Sequence, residues 1–385
     1  MTVTKEAVLD ALRGVIDPDL GRDIVSLGFI TKNAVCDGAV SVTINLTTPA
    51  CPVKDQLREQ ARGLIAALPG VTDVNVEMTA EVRGQAEPRQ IAPHVKHVVA
   101  VSSGKGGVGK STATVNLAVA LARTGARVGI MDCDVYGPDI PMMMGLKGEP
   151  ETTAERKLIP KERHGIKTMS IGYLLADEKP VVWRGPMVHK LIEQFLSDVE
   201  WGELDYLLVD MPPGTGDAQL SLAQIVPLSG AVLVTTPQAV STFDVGKAIG
   251  MFKQVNVEIL GVIENMSSFV VRGRVERAGA PASDTTVKVD TGLGIVSCPV
   301  QEDGSFEVLL DVFGKGGADA LSKRHGFPVI GRIPLNPVVR VGGDAGDPVT
   351  WSDPDTLEAR AFTECAGKLA QRLAIREHAA LPILQ

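Results

Sequence analysis

Residues 104–111 have the sequence GKGGVGKS, which fits the pattern G-x-x-x-x-G-K-[ST] of a phosphate-binding loop. Glycines let the backbone turn back and point successive N–H groups at phosphate oxygens, because no Cβ stands in the way. Lys110 can neutralise phosphate charge, and the Ser111 hydroxyl can ligate Mg²⁺. An apolar run at 98–102 precedes the loop and a helical pattern at 111–123 follows it. This context predicts a nucleoside triphosphate site at a helix N-terminus.

Three aspartates end apolar runs elsewhere in the chain. Asp132 and Asp134 close the run at 127–132, and Asp210 closes the run at 206–210. Ligands of open α/β sheets bind at the carboxyl ends of the strands, so we expect these carboxylates near the phosphates. For Asp132 or Asp134 taken alone, helix capping is the alternative. The turn Pro-Pro-Gly-Thr-Gly after Asp210 is suited to sensing a γ-phosphate.

The composition limits the classes of partner. A net charge of −8 provides no general basic surface for nucleic acid. Five cysteines, an odd number, do not indicate a secreted disulfide framework. The polar N-terminus shows no signal peptide, and no apolar run approaches the roughly 20 residues that span a bilayer. We therefore expect a cytoplasmic protein that binds neither nucleic acid nor membrane.

Residues 1–82 are predicted to form a small α+β domain. Asp37 and Gly38 separate two β-rich runs, which is a strong hairpin signal. The helices are predicted at 4–15 and 52–68, and the strands at 29–36, 39–46 and 73–82. The polar segment 83–95, with two prolines, is predicted to be a linker.

Residues 96–385 alternate between strand and helix patterns. Several apolar runs are continuous, which suits strands buried on both faces of a parallel sheet. We therefore predict a doubly wound, mostly parallel α/β domain. A β-rich insertion at about 269–312 interrupts the alternation, and 355–378 is predicted to be a surface helix. In addition to the runs that end at the aspartates and the loop, strands are predicted at 231–235, 259–264 and 329–333, and a helix at 241–254.

These motifs resemble known families. GKGGVGKST resembles the deviant Walker A loop of the MinD/ParA/NifH class of P-loop NTPases, which carries an extra lysine, here Lys105. DCDVYGPDIP, DMPPGTGD and ENMS resemble the Mrp/ApbC branch of that class, the iron–sulfur cluster carrier ATPases. DPDL, SLGFI and TTPACP in the first 82 residues resemble a SufT/PaaD-like domain. The resemblance covers nearly the whole chain. It implies a homodimeric, slowly hydrolysing ATPase that transfers clusters to apoprotein clients.

The resemblance also implies residue roles. Lys105 would reach the ATP of the partner subunit, and Lys110 would be the usual P-loop lysine. Asp134 would orient the attacking water, and Asp210 would hold Mg²⁺ together with Ser111. Asp217 would belong to the second switch. The residues that would contact ATP are Gly104, Lys105, Gly106, Gly107, Val108, Gly109, Lys110, Ser111, Thr112 and Asn265, the last at the adenine near Pro334 and Leu335.

The cysteine pattern departs from the family. Cluster carriers place a C-P-x-C pair after ENMS, whereas this chain has Cys298 followed three positions later by Gln301. One thiolate per subunit gives two per dimer, short of the four that an all-cysteine [4Fe–4S] cluster needs. Three interpretations stay open. Cys298 binds a cluster with further ligands from Cys51, His325, a small thiol or a client; the insertion has replaced the metal site; or Cys298 is an ordinary buried cysteine.

The remaining cysteines are expected to have different roles. Cys51 precedes a predicted helix, whose dipole would lower its thiol pKa, so a metal-handling role is open. Cys36, Cys133 and Cys365 are predicted to be packing residues, and the loop 183–186 is either near the nucleotide or a surface turn.

The alternative function is a cluster-free, ParA/MinD-like switch ATPase. The tail 375–385, with Arg376 as its one cation, argues against membrane binding.

Overall fold

The computed structural model describes residues 3–36, 38–82, 92–174, 185–276, 285–292 and 294–380, without the side chains of residues 185, 186, 217 and 378–380. Several predictions from the sequence fall outside the described residues. These are most of the linker, Asp37 of the hairpin, Trp183 and Arg184, the side chain of Asp217 and the end of the tail.

The N-terminal region is a three-stranded sheet covered by two helices. Its strands pair in the order β3-β4-β5, antiparallel and then parallel. The even-numbered residues of β4 are buried against apolar residues of α1 and α2, as the two-residue period of a strand requires. The elements are α1 Lys5–Leu12, β1 Ile16–Asp17, β2 Arg22–Asp23, β3 Ile30–Cys36, β4 Ala39–Leu46, α2 Lys54–Ala66 and β5 Asp73–Ala80.

The rest of the described chain is built on one sheet. Within the described residues this sheet has nine strands, in the order β15-β12-β11-β6-β10-β7-β9-β8, with β16 also paired to β12. The strands are β6 Val95–Ser103, β7 Val128–Asp132, β8 Lys161–Arg163, β9 Ile166–Ser170, β10 Leu204–Asp210, β11 Gly230–Thr235, β12 Ile259–Arg274, β15 Ser305–Leu310 and β16 Val329–Leu335. A separate pair is formed by β13 Thr286–Asp290 and β14 Ile295–Pro299.

Helices pack on both faces of this sheet. Two large apolar clusters, one on each side, bury the continuous runs of β6, β7, β10 and β11. Only β8 and β15 pair antiparallel among the described strands of the sheet, so the predicted mostly parallel α/β fold is confirmed. The helices are α3 Lys110–Arg123, α4 Ile140–Met143, α5 Gly185–Ser197, α6 Asp217–Ile225, α7 Ala239–Gln254, α8 Gly317–His325, α9 Pro337–Ala345, α10 Val349–Ser352 and α11 Leu357–Ala380, with a 3₁₀ turn at Ile171–Tyr173.

The order of the strands places the glycine loop in a crevice. β6 lies between β10 and β11, and α3 leads from β6 past β10 to β7. The strand order therefore reverses at β6, and the loop 104–109 stands at its carboxyl end. In open α/β sheets this is the position where ligands bind.

Strand β12 runs beyond the sheet core into the β-rich segment. Its first part is parallel to β11 and β16, and its last part, 269–274, is antiparallel to β15. Between the two, Met266 has φ +54° and the register with β16 shifts, which marks a bulge. β14 was not predicted from the sequence. Its apolar residues do not alternate with polar ones and are mostly exposed, so it lacks the pattern of a half-buried strand.

Helix α11 corrects the prediction of a surface helix. One side packs on α3 and β16, with Phe362, Cys365 and Leu369 fully buried. The other side faces the N-terminal region, where Gln371 hydrogen-bonds to Asp19. The predicted apolar spacing was right for most positions, but contact on two sides cannot be read from one stripe. None of the helices in the described part of the chain has the length and hydropathy to cross a membrane.

Candidate functional site

The nucleotide site is organised around the buried carboxylate of Asp210. Its Oδ2 lies 2.6 Å from Lys110 Nζ and accepts a hydrogen bond of 2.7 Å from Ser111 Oγ. Its Oδ1 accepts a hydrogen bond of 2.7 Å from Thr114 Oγ1. Asp210 ends β10 and the other three residues lie at the start of α3, so neighbouring strands bring them together. A carboxylate and a hydroxyl are the hard oxygen ligands that Mg²⁺ prefers, so Ser111 and Asp210 fit the predicted metal pair.

Lys110 carries the positive charge of the site. Its ammonium is buried and also lies 3.6 Å from Asp134 Oδ2. Burial alone would lower the pKa of Lys110, but the carboxylates of Asp210, Asp134 and Asp132 together outweigh it and raise the pKa. Lys110 is therefore held as a cation at the place where phosphate charge would arrive.

Asp132 and Asp134 are not helix caps. The two Asp132 oxygens accept from Asp134 N at 3.0 Å and from Ser170 Oγ at 2.8 Å. Burial, and then the neighbouring Asp210, raise the pKa of Asp132 well above its usual range. Burial also raises the pKa of Asp134, against the opposing effect of Lys110. Asp134 thus lies beside Lys110, and Asp132 holds the backbone that carries Asp134.

Two glycines of the loop are required by close contacts. A Cβ on Gly104 would collide with the backbone of Asp244 and Val245 in α7. Gly109 has φ +83°, and a Cβ there would collide with the Asn265 side-chain amide. Asn265 Nδ2 donates to Val108 O at 2.8 Å, so Asn265 supports the loop from the end of the parallel part of β12. Its predicted contact with adenine stays a prediction.

Lys105 occupies an open position in the same loop. Its backbone carbonyl accepts from Ser103 Oγ at 2.9 Å, which fixes the backbone of the loop. Its side chain is partly exposed, and the described residues provide no ion-pair partner for its ammonium. Gly106 and Gly107 beside it are exposed, while Thr112 is half-buried in the first turn of α3.

Sequence reasoning missed three residues of this site. Thr114 is one helical turn from Lys110 and Ser111, and that i+3 and i+4 spacing is the signal that could have found it. Ser170 ends β9, the strand beside β7, so strand pairing was needed to place it. Gln219 lies in the first turn of α6, and the sequence carries no sign that its side chain turns inward.

The cysteines agree only in part with the sequence expectations. The Cys298 thiol is buried, at 9% exposure, and donates to Glu307 O at 2.8 Å. Cys36 is exposed and is not the packing residue that was predicted, whereas Cys133 and Cys365 are buried. The side chain of Cys36 lies at the end of β3, where β4 and the helices do not cover it. The described residues contain no group of three or more His, Cys, Asp or Glu arranged to hold a metal ion.

Cys51 corrects the expected thiol acidity. It lies in a small pocket of about 20 Å³ between the N-terminal region and α11, room for one water molecule. Burial, with a smaller effect from the carboxylates of Asp17 and Asp19, raises the pKa of Cys51 to about 11. The helix dipole does not lower the pKa below its usual range, because α2 begins only at Lys54 and the thiol is half-buried beside carboxylates.

Known proteins match the chain along its length. The family model of the NUBPL iron-transfer P-loop NTPase matches residues 94–285, and that of the iron–sulfur cluster assembly protein matches residues 5–78. The iron–sulfur cluster carrier protein of Deinococcus radiodurans is 46% identical over 379 residues, which cover 98% of each chain. The protein of that name from Synechocystis is 43% identical, over 97% of this chain and 99% of the relative.

A solved structure agrees with the nucleotide site. The nucleotide-binding protein of Archaeoglobus fulgidus, in complex with ADP, is 35% identical and has a TM-score of 0.51. The match covers 69% of this chain and 95% of that protein. With the glycine loop, Lys110 and Asp210 in place on a mostly parallel sheet, the chain belongs to the iron–sulfur cluster carrier family of P-loop NTPases.

Proposed function

We propose that this protein binds and hydrolyses ATP and carries iron–sulfur clusters to apoproteins. The observation that carries the proposal is the convergence of Lys110, Ser111 and Thr114 on Asp210 at the end of the glycine loop. Identity over nearly the full length to proteins named iron–sulfur cluster carriers supports the cargo. The cluster would be loaded onto the protein and released from it, as a cargo and not as a resident cofactor.

Each residue of the site would have a separate role in ATP hydrolysis. The N–H groups of the loop and Lys110 would bind the β- and γ-phosphates, and Ser111 and Asp210 would hold Mg²⁺. Asp134 lies within 3.6 Å of Lys110 Nζ, close enough to orient a water beside the γ-phosphate. Its raised pKa makes the Asp134 carboxylate a stronger base, which suits a group that accepts a proton as hydrolysis proceeds.

The proposed active form is a homodimer that encloses two nucleotides. The Lys105 ammonium, without an ion-pair partner in the described residues, would meet the phosphates of the partner's ATP. Apolar side chains also lie near the loop, since α7 contacts Gly104 and carries Val240 and Phe243, which are 65% and 69% exposed. A second subunit placed face to face would cover them.

We propose that the cluster site does not combine Cys51 and Cys298 of one subunit. The N-terminal region contacts the start of β10, where Thr48 and Tyr206 share a hydrogen bond of 3.1 Å. Cys298 lies beside Glu307 of β15, which pairs with Arg272 near the carboxyl end of β12. A seven-residue strand such as β10 spans roughly 20 Å, which is too far for one cluster.

His325 is an equally poor partner for Cys298. It ends α8, whose first turn contacts Glu264 at the carboxyl end of the sheet, so α8 carries His325 away from that end. We therefore propose that Cys298 supplies one ligand from each subunit, which gives two ligands in the dimer. A small thiol or a client protein would supply the others. The Cys298 thiol must then leave Glu307 O before it binds iron.

Anaerobic reconstitution tests the cargo. Wild-type protein, Cys298→Ser and the exposed-thiol control Cys36→Ser would be loaded with iron and sulfide, then analysed for both elements and for visible charge-transfer absorption. We expect the wild type and the control to bind a cluster and Cys298→Ser to lose it. If the wild type stays colourless while it hydrolyses ATP, the protein is instead a cluster-free nucleotide switch.

A further inference from the structure

Gln219 is a buried polar residue next to the nucleotide site, and the hydrolysis proposed above gives it no role. It lies in the first turn of α6, directly after the loop 211–216 that follows Asp210, and is 1% exposed. Its Nε2 donates to Ser102 Oγ at 3.0 Å and to Pro212 O at 2.5 Å. The side chain therefore joins the loop 211–216, which we call the switch loop, to the end of β6.

The prolines of the switch loop explain why a side chain is needed there. Met211 N donates to Val101 O at 3.0 Å, and Gly214 N donates to Ser103 O at 3.3 Å. Between them, Pro212 and Pro213 have no N–H and cannot donate to β6. Gln219 supplies the missing connection between the loop and β6, at the level of Ser102.

The same strand end also holds the glycine loop. Ser103 accepts from the switch loop through its carbonyl and donates through its hydroxyl to Lys105 O at 2.9 Å. A displacement of the switch loop would therefore also displace residues 102 and 103, which directly precede the glycine loop. Gly214 has φ +99°, which gives the switch loop a point where its backbone can change direction.

The other polar atom of Gln219 has no partner among the described residues. Its Oε1 is buried and accepts no hydrogen bond from the described residues. An unsatisfied buried acceptor is destabilising and uncommon in folded proteins. The switch loop ends only three residues before Gln219, so a shifted loop that brings a backbone N–H to this oxygen would gain a hydrogen bond.

From these contacts we propose that Gln219 is a positioning residue that holds the switch loop on β6 and sets its place relative to the nucleotide phosphates. The inference rests on the proposed ATPase function for its effect on turnover. The attachment of the switch loop to β6 does not require nucleotide, so it is tested separately.

Hydrogen exchange of the nucleotide-free protein tests the attachment. Gln219→Leu keeps the volume and removes both hydrogen bonds, and Gln224→Leu is the matched control because Gln224 is exposed on the same helix. We expect the amides of Met211 and Gly214 to exchange about tenfold faster in Gln219→Leu and unchanged in the control. Equal exchange in wild type and Gln219→Leu would overturn the proposal. If Gln219→Leu does not fold, Gln219→Glu takes its place in this measurement.

Kinetics tests the effect on turnover. We expect Gln219→Leu to lower kcat about tenfold and to change KM for ATP less than about twofold, because Lys110 and Ser111 still bind the phosphates. In Gln219→Glu the introduced carboxyl donates only when protonated, so its kcat relative to wild type should rise as pH falls. A pH-independent ratio, or an unchanged kcat in Gln219→Leu, contradicts the positioning role. A wild type without ATPase activity refutes the proposed function, and the exchange measurement still decides the attachment.

Discussion

At the scale of single residues, the nucleotide site depends on how buried charges are paired. Asp210 is fully buried, and its two oxygens receive three donors from the start of α3. A buried carboxylate that loses a donor bears a desolvation cost that water cannot relieve. Thr114, which the sequence motif does not include, therefore contributes to the stability of the site together with Lys110.

Thr114 provides a clean test of this pairing. Thr114→Val keeps the shape and removes the hydroxyl, which leaves Asp210 Oδ1 without its donor. We expect the free energy of unfolding to fall by about 1–3 kcal/mol. Thr114→Ser, which keeps the hydroxyl, should lose markedly less. Urea denaturation of both variants checks this, and a greater loss in Thr114→Ser than in Thr114→Val would show that packing of the methyl group dominates.

Replacing Asp132 with Asn is expected to increase the free energy of unfolding at high pH. Its pKa is raised in the folded protein, so folding takes up a proton and the folded state loses stability as pH rises from the unfolded pKa through the folded one. Asp132→Asn removes this ionisation and keeps an oxygen to accept from Asp134 N. We expect the variant to be more stable than wild type at pH 8, by about 1 kcal/mol or more. The difference should shrink toward pH 4, as measured by denaturation at several pH values, and a pH-independent difference would contradict it.

At the scale of elements, the sequence predicted what depends on local pattern. The runs that became β6, β7, β10 and β11 were recognisable because strands buried on both faces are continuously apolar. β9 was missed because it buries Thr168 and Ser170, whose hydroxyls bond to Tyr173 and Asp132, and such partners are invisible in a sequence. In the same way, the position of α11 between two regions depends on tertiary contacts.

We expect the contact of α11 with the N-terminal region to limit access to Cys51. Gln371, Ala374 and Ile375 line the Cys51 pocket, and Gln371 hydrogen-bonds to Asp19 beside it. We expect Gln371→Ala to raise the rate of Cys51 alkylation several-fold at pH 7, because water and reagent gain entry. Lys368→Ala, on the exposed side of the same helix, should leave the rate unchanged. Site-resolved mass spectrometry measures this, with the exposed Cys36 as internal reference. Equal rates in both variants would mean that α11 does not limit access.

At the scale of the whole molecule, the two thiols of interest lie at opposite ends of the central sheet. The nucleotide loop and Cys298 are at the carboxyl ends of the strands, whereas Cys51 is at the amino ends, next to Tyr206 and α11. No sequence pattern could give this arrangement, since it follows from how the N-terminal region docks. It implies that a cluster loaded near the nucleotide site does not use Cys51 of the same subunit.

Cluster transfer is the most direct test of the central claim. Protein reconstituted with iron and sulfide would be freed of unbound iron and mixed with an apoprotein whose activity requires a [4Fe–4S] cluster. We predict that the loaded protein restores that activity, and that unloaded protein or Cys298→Ser does not. A wild type that binds no iron after reconstitution, or a loaded wild type that fails to activate the acceptor, would contradict the claim.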